Sequence, residues 1–464
     1  MKKSMKLWDI VFMNVTAVIG LRWLPIAAGY GASSITLWIL AAMFFFIPVS
    51  LIASELATTW PDEGGFYVWV KNTYGEKPAF ITSWFYWTTN LFYYPSLLTF
   101  IAVVIAFLID PKLSNNKLYV CSVILVVFWV VTLINLKGTS VGKWLSNLSG
   151  TLGTLLPGLI IILLGIASVF IWKRPIPTDY SLHSLIPQLG SKSNISFLST
   201  LMFAMAGIEV TTILAGETEN PQKVFPKAIV ISAFLIAGVY ILGTVAMTFI
   251  IAPDKIGTAS GIMDAVKLIA DELNIPGIVA IVAISLTIGN FGGLSIWIVG
   301  PIKMLFESTK SGVLPKSFTK LNKNDMPANA MIIQACIVTA IVLVTSLLPS
   351  VNAFYGILVL MTTINYFIPY LFIFPSFIKL RKLYPDKHRP FRVPGGNGFA
   401  YLITALGFFS VVLAIAVALI PSADLKTMKD IIVNESELIG GPVVFLAVGL
   451  AFFRNYEKKK ISNT

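Results

Sequence analysis

Two ionisable residues stand where an ionisable residue is costly. Arg22 lies in an apolar run from about Leu7 to Ile26, and Glu209 lies in another, Leu201 to Gly216. A guanidinium offers a planar fork of donors that suits a carboxylate. A carboxylate can accept hydrogen bonds or carry a proton. At membrane depth such groups mark functional sites by default. Each sits among residues that interrupt a helix. Val18-Ile19-Gly20-Leu21-Arg22-Trp23-Leu24-Pro25 contains a glycine, the charge and a proline, and Ala206-Gly207-Ile208-Glu209 sets a glycine beside the carboxylate. Proline lacks an N–H and clashes with the carbonyl four residues back, so the first run breaks or kinks. Broken backbone at membrane depth is tolerated only where protein or a water-filled cavity satisfies the freed polar groups. The two stretches therefore read as halves of one substrate site.

The elements that must position them are membrane spans. The chain has 464 residues, 56% hydrophobic and 12% charged, with a mean hydropathy of +0.82. A soluble domain carries roughly 25% charged residues. The apolar runs are continuous rather than alternating, which excludes a β-barrel pattern. The expected fold class is all-α: a polytopic membrane protein of about twelve transmembrane helices, each near the roughly 20 residues a bilayer requires. They fall near 7–32, 34–58, 79–109, 118–136, 144–172, 195–216, 227–252, 278–308, 329–348, 353–378, 400–421 and 438–453. The first has no small-residue cleavage site and is followed at once by another, so it reads as a retained span.

The net charge of +12 reflects loops, not nucleic-acid binding. Starting from Lys2, Lys3 and Lys6 inside, the loops with Lys71/Lys77, Lys137/Lys143, Lys223/Lys227, Lys310–Lys323 and Lys379–Arg392, and the tail Arg454–Lys460, are all cytoplasmic. About two dozen Lys and Arg then lie inside and about nine outside, as the positive-inside rule requires, with both termini in the cytoplasm. Cys121 and Cys336 fall inside spans, which argues against a disulfide framework. His183 reads as a solvated loop residue with no second ligand near it. No clustered nucleophile, metal-ligand set or paired carboxylate points to an enzyme, a metal or a cofactor.

Transporters built from inverted repeats pair two interrupted helices at corresponding places around a midplane site. With spans 1–5 (about 7–172) and 6–10 (about 195–378) as repeats, Gly20–Pro25 and Ala206–Glu209 are equivalent breaks, and about 400–453 holds two extra helices. A half-helix N-terminus offers free N–H groups to an anion such as an α-carboxylate. Carbonyls freed on the other half-helix accept from an α-ammonium. Glycine recurs because the backbone itself must approach the ligand.

Gly207-Ile208-Glu209 followed by Glu217-Thr-Glu-Asn-Pro221, and Phe391-Arg-Val-Pro-Gly-Gly396 after span 10, resemble the amino acid–polyamine–organocation transporters. Within that family the chain is most similar to bacterial glutamate/GABA exchangers. The matching stretches are Asp62-Glu-Gly-Gly-Phe-Tyr-Val-Trp-Val-Lys-Asn-Thr-Tyr-Gly75, Trp297-Ile-Val-Gly-Pro301, and Gly312-Val-Leu-Pro315 through Leu321-Asn-Lys-Asn-Asp-Met-Pro327. The resemblance implies a five-plus-five inverted repeat with two extra helices, and alternating-access exchange or proton-linked uptake of amino acids or amines. Three features depart from the exchangers: no arginine aligns with Arg22, Gly293 stands in place of a carboxylate, and the tail after Phe453 is too short to plug the cytoplasmic mouth.

The expected substrate-lining residues are Ile19, Gly20, Arg22 and Trp23 at the first break, Gly207 and Ile208 at the second, Asn90 in span 3 and Gly293 in span 8. The resemblance implies an aromatic lid at or near Phe203 and a gating or proton-coupling role for Glu209. Arg22 either faces the substrate or pairs with Glu209, and these can be successive states of one gate. Tyr93, Tyr94, Trp297, Tyr355, Thr362, Thr363, Asn365 and Tyr366 are weaker candidates. Span 5 carries no mid-depth lysine, so exchange without a coupling ion is the expectation. A proton-coupled symporter or uniporter is the alternative, and a channel a distant one. The partners are a small amino acid or amine and the lipid bilayer, and the sequence is compatible with a monomer or a homodimer.

Overall fold

Among the described residues, ten helices are long and apolar enough to cross a membrane, and the two apolar segments that fall short, Leu7–Val18 and Leu198–Thr211, belong to the two runs read as interrupted. The computed structural model describes residues 5–61, 64–138, 148–187, 192–211, 218–309, 312–315, 318, 320–324, 326–347, 350–421 and 427–462. Lys2, Lys3, Asp62, Glu63, Lys143, Gly216, Glu217 and Lys310, named above, lie outside the described residues.

Span 1 divides into α1 (Leu7–Val18) and α2 (Trp23–Ala28). Span 2 is α3 (Ser33–Thr59). A short helix, α4 (Phe66–Tyr74), precedes span 3, α5 (Glu76–Ile109), and span 4 is α6 (Lys117–Asn135). Span 5 is α7 (Ser149–Phe170), which opens with a π-helical turn over Ser149–Leu155. Span 6 is α8 (Lys192–Ala204), then an irregular step and a 3₁₀ turn over 208–211. The remaining helices are α9 (Pro221–Ile250), α10 (Gly261–Leu273), α11 (Gly277–Thr309), α12 (Ala328–Thr345), α13 (Val351–Leu383), α14 (Gly396–Ala418) and α15 (Met428–Ser462). The loop helices α4 and α10 are additions to the sequence reading.

Large apolar side chains such as Phe170, Phe234, Leu413 and Val444 are exposed, which suits surroundings of lipid rather than water. The most buried spans are α5 and α13, and α11 packs along α5. Close approach of α7 and α11 needs two glycines: a Cβ on Gly153 or Gly289 would strike the other's backbone. Where α1 ends, α9 takes over its support, since α1, α2 and α3 all pack on α9.

The C-terminal ends of spans 2 and 10 are stapled by one buried carboxylate. Glu55 accepts from Arg381 Nε at 2.9 Å and Nη2 at 2.5 Å, from the Val393 amide at 2.8 Å, and lies 3.2 Å from Arg389 Nε. Glu55 is fully buried, because the Phe391–Gly396 motif folds back over it. Burial and the neighbouring Arg381 and Arg392 hold the Arg389 guanidinium below its ordinary range, against the pull of Glu55.

Candidate functional site

The first break spans residues 19–22. The Gly20 amide, which would close a helical turn on Thr16, donates instead to the Tyr240 hydroxyl at 3.0 Å. The Tyr240 proton faces two carbonyls, Val18 at 2.6 Å and Ala204 at 2.7 Å. Tyr240 is fixed by Trp38 of α3, stacked at 4.5 Å between ring centroids, whose indole N–H reaches Thr244 Oγ1 at 3.0 Å. The Ala17 carbonyl is taken by Trp297 Nε1 of α11 at 3.1 Å. The Trp23 amide closes a tight turn on Gly20 at 2.9 Å. Among the described residues the Leu21 and Arg22 amides find no acceptor and the Ile19 carbonyl no donor. Two donors and one acceptor thus remain at the break, the set that an α-carboxylate and an α-ammonium require.

The second break follows Ala204. Gly207 has φ +115°, open to glycine and costly for other residues, and a Cβ there would lie 3.0 Å from the Trp297 ring and 3.2 Å from the Ala17 carbonyl. The Gly207 amide donates to Glu209 Oε2 at 3.2 Å. Glu209 Oε1 accepts from the Tyr86 hydroxyl at 3.1 Å and from the Tyr366 hydroxyl, and Tyr366 continues to Tyr370 at 3.0 Å. Glu209 therefore ties the second break to spans 3 and 10. The expected alternative, a pair between Arg22 and Glu209, is not formed in this structure: the tyrosines take the carboxylate.

Arg22 is buried, with 1% of its surface exposed. Its guanidinium carbon sits 4.2 Å above the Trp23 ring and 4.7 Å above the Tyr93 ring, and Nε and Nη1 have no hydrogen-bond partner. Each cation–π contact contributes about 0.5–2 kcal/mol, whereas burying an ion costs several kcal/mol and each unpaired donor about 1–3 more. The rings alone do not offset that cost.

Both breaks border one cavity of about 30 Å³. Its walls include Ile19, Gly20, Leu21 and Trp23 from the first break, Phe203, Ala204 and Ala206 from the second, Tyr93 from α5, Thr154 from α7, and Asn290, Gly293 and Trp297 from α11. Small-molecule sites usually enclose roughly 300–1,000 Å³, so an amino acid enters only when the aromatic wall moves. Phe203 sits edge-on to Trp23, Tyr93 and Tyr366, at 5.6, 6.2 and 5.1 Å between centroids, a position suited to a lid.

The expected residues are partly gathered. Ile19, Gly20, Trp23, Phe203 and Gly293 line the cavity; Arg22, Asn90, Gly207, Ile208 and Glu209 do not. Arg22 turns behind the Trp23 and Tyr93 rings. Asn90 Nδ2 bonds to the Tyr86 carbonyl of its own helix at 2.7 Å. Ile208 is buried in the 3₁₀ turn, where its carbonyl accepts from Thr211 Oγ1 at 3.2 Å, and Gly207 abuts Trp297. The sequence reading missed Tyr240, which clasps both breaks, and Asn14, which accepts from Thr211 Oγ1 at 2.8 Å and donates to Ser232 Oγ at 3.2 Å. A tyrosine and an asparagine within apolar runs were the available signals, but neither reveals its partner 200 residues away.

The chain matches the amino acid permease family over residues 5–445. It is 36% identical to an uncharacterized transporter of Legionella pneumophila, covering 99% of both chains. It is 28% identical to a probable agmatine/putrescine antiporter of Lactococcus lactis, over 92% of this chain and 89% of the relative. A glutamate/gamma-aminobutyrate antiporter of Lactococcus lactis is 24% identical, over 91% and 85%.

Proposed function

The chain belongs to the amino acid permease family, within the amino acid–polyamine–organocation transporters, and from that premise we propose that it exchanges amino acids or related amines across the cytoplasmic membrane by alternating access. The observation that carries the reading is the meeting of both interrupted spans around one cavity, clasped by one hydroxyl. The Leu21 and Arg22 amides bind the α-carboxylate and the Ile19 carbonyl accepts from the α-ammonium. Phe203 and Trp23 close over the bound moiety. No step makes or breaks a covalent bond, so the chain is not an enzyme.

Spans 1–5 and 6–10 act as inverted repeats, with α14 and α15 appended. The charge bias of the loops supports an orientation with both termini in the cytoplasm. Tyr240 ties the halves of the site, so the two breaks move together. Exchange is favoured over uniport by the antiporter relatives, and over proton coupling by Glu209, whose hydrogen bonds to tyrosines make it a lock between helices.

Counterflow in proteoliposomes tests this. Vesicles loaded with an unlabelled substrate amino acid accumulate the labelled compound without an ion gradient, and efflux stops when the outside medium holds no counter-substrate. Equal efflux into empty buffer makes the protein a uniporter and overturns exchange.

A further inference from the structure

We infer that Arg22, covered by Trp23 and Tyr93, is a subsite for the distal carboxylate of the substrate, so that the chain exchanges acidic amino acids in preference to dicationic amines. The inference rests on the exchange reading above and assigns its substrate class. Four observations support it. First, the buried Arg22 guanidinium leaves Nε and Nη1 unpartnered. Second, among the described residues no carboxylate pairs with Arg22, and Glu209 is bound by Tyr86 and Tyr366. Third, Tyr355 of α13 is 1% exposed, its hydroxyl has no partner, and it lies within electrostatic reach of Arg22. The Tyr355 hydroxyl and the Arg22 Nε and Nη1 groups are all donors without an acceptor, the chemistry that receives an anion.

Fourth, the two rings that cover the guanidinium also line the cavity. Moving either ring joins Arg22 to the space beside the Leu21 amide. A substrate held by its α-carboxylate at the break then extends its second carboxylate past Trp23 and Tyr93. A dication in the same place would bring a second positive group toward an unpaired guanidinium, and like charges close together in a poorly solvated site repel.

The test is competition against counterflow by the full chain in proteoliposomes, with glutamate, aspartate, alanine, gamma-aminobutyrate, agmatine and putrescine as competitors. Wild type is expected to rank glutamate or aspartate first and the two dications last. Arg22→Ala should weaken the acidic competitors about 10- to 100-fold relative to alanine, the span of a lost charged hydrogen bond. Tyr355→Phe should weaken them several-fold in the same direction. A wild type that prefers agmatine or putrescine, or an Arg22→Ala whose acidic-to-neutral ratio is unchanged, overturns the subsite and leaves exchange standing. Exchange of none of the six overturns both. The wild-type ranking decides the claim if Arg22→Ala does not fold.

Discussion

The Gly20 amide and the Tyr240 hydroxyl meet at 3.0 Å across 220 residues of sequence. That bond diverts Gly20 from its helical partner and so maintains the first break. The same hydroxyl reaches the last carbonyl of α8, at Ala204, where the second break begins. Tyr240→Phe leaves a partly buried amide and two buried carbonyls without it. The variant should lose about 1–3 kcal/mol of stability, the cost of unsatisfied buried groups. Transport should fall more than stability, because the two breaks lose their tie. Thermal unfolding and counterflow on one preparation measure both.

Gly207 and Gly293 face the same region but respond oppositely to a methyl group. Gly207→Ala adds a Cβ at positive φ and against Trp297, and should cost about 1–3 kcal/mol in strain alone, lowering the melting temperature. A Cβ on Gly293 meets only the Thr16 carbonyl at 3.4 Å. Gly293→Ala should fold normally yet bind substrate more weakly, since the methyl enters the cavity. Melting curves with and without substrate separate the two effects.

Glu209→Gln tests whether the carboxylate carries a proton. A glutamine side-chain oxygen can still accept from Tyr86 and Tyr366, so the fold should hold with a loss of about 1–2 kcal/mol. If Glu209 is only a lock, the pH dependence of transport in the variant matches wild type. A pH profile flattened by the substitution makes Glu209 the proton carrier and the protein a proton-coupled transporter.

The Glu55 staple predicts a stability effect far from the substrate. Glu55→Ala strands Arg381 and Arg389 beside each other in a buried site, which should cost about 3–5 kcal/mol. Substrate ranking among the molecules that remain folded should be unchanged. Altered selectivity in counterflow competition would show that the staple communicates with the cavity.

The spans were legible because a bilayer imposes length and composition, and both breaks were legible because glycine, proline and charge interrupt apolar runs at Gly20–Pro25 and Gly207–Glu209. Side-chain direction was not legible. Arg22 turns onto the Tyr93 ring and Glu209 finds tyrosines, both far away in sequence, while Asn90 turns back to the carbonyl four residues before it in its own helix. Tyr240 gives no local sign of its task, since an aromatic in a membrane span is ordinary until its hydroxyl has partners. The burial of Glu55 has no local sign either, because the segment that covers it comes more than 300 residues later.

The location of the site can be tested directly with a thiol at Gly293. The native cysteines, Cys121 and Cys336, are replaced by serine, and Gly293→Cys is introduced where a side chain meets little but open cavity. A small thiol reagent then labels the protein in proteoliposomes with and without each amino acid or amine that supports counterflow. Every exchanged substrate should slow labelling in proportion to its occupancy, and compounds that are not exchanged should have no effect. Labelling at one rate with and without an exchanged substrate would contradict a substrate site between the two breaks.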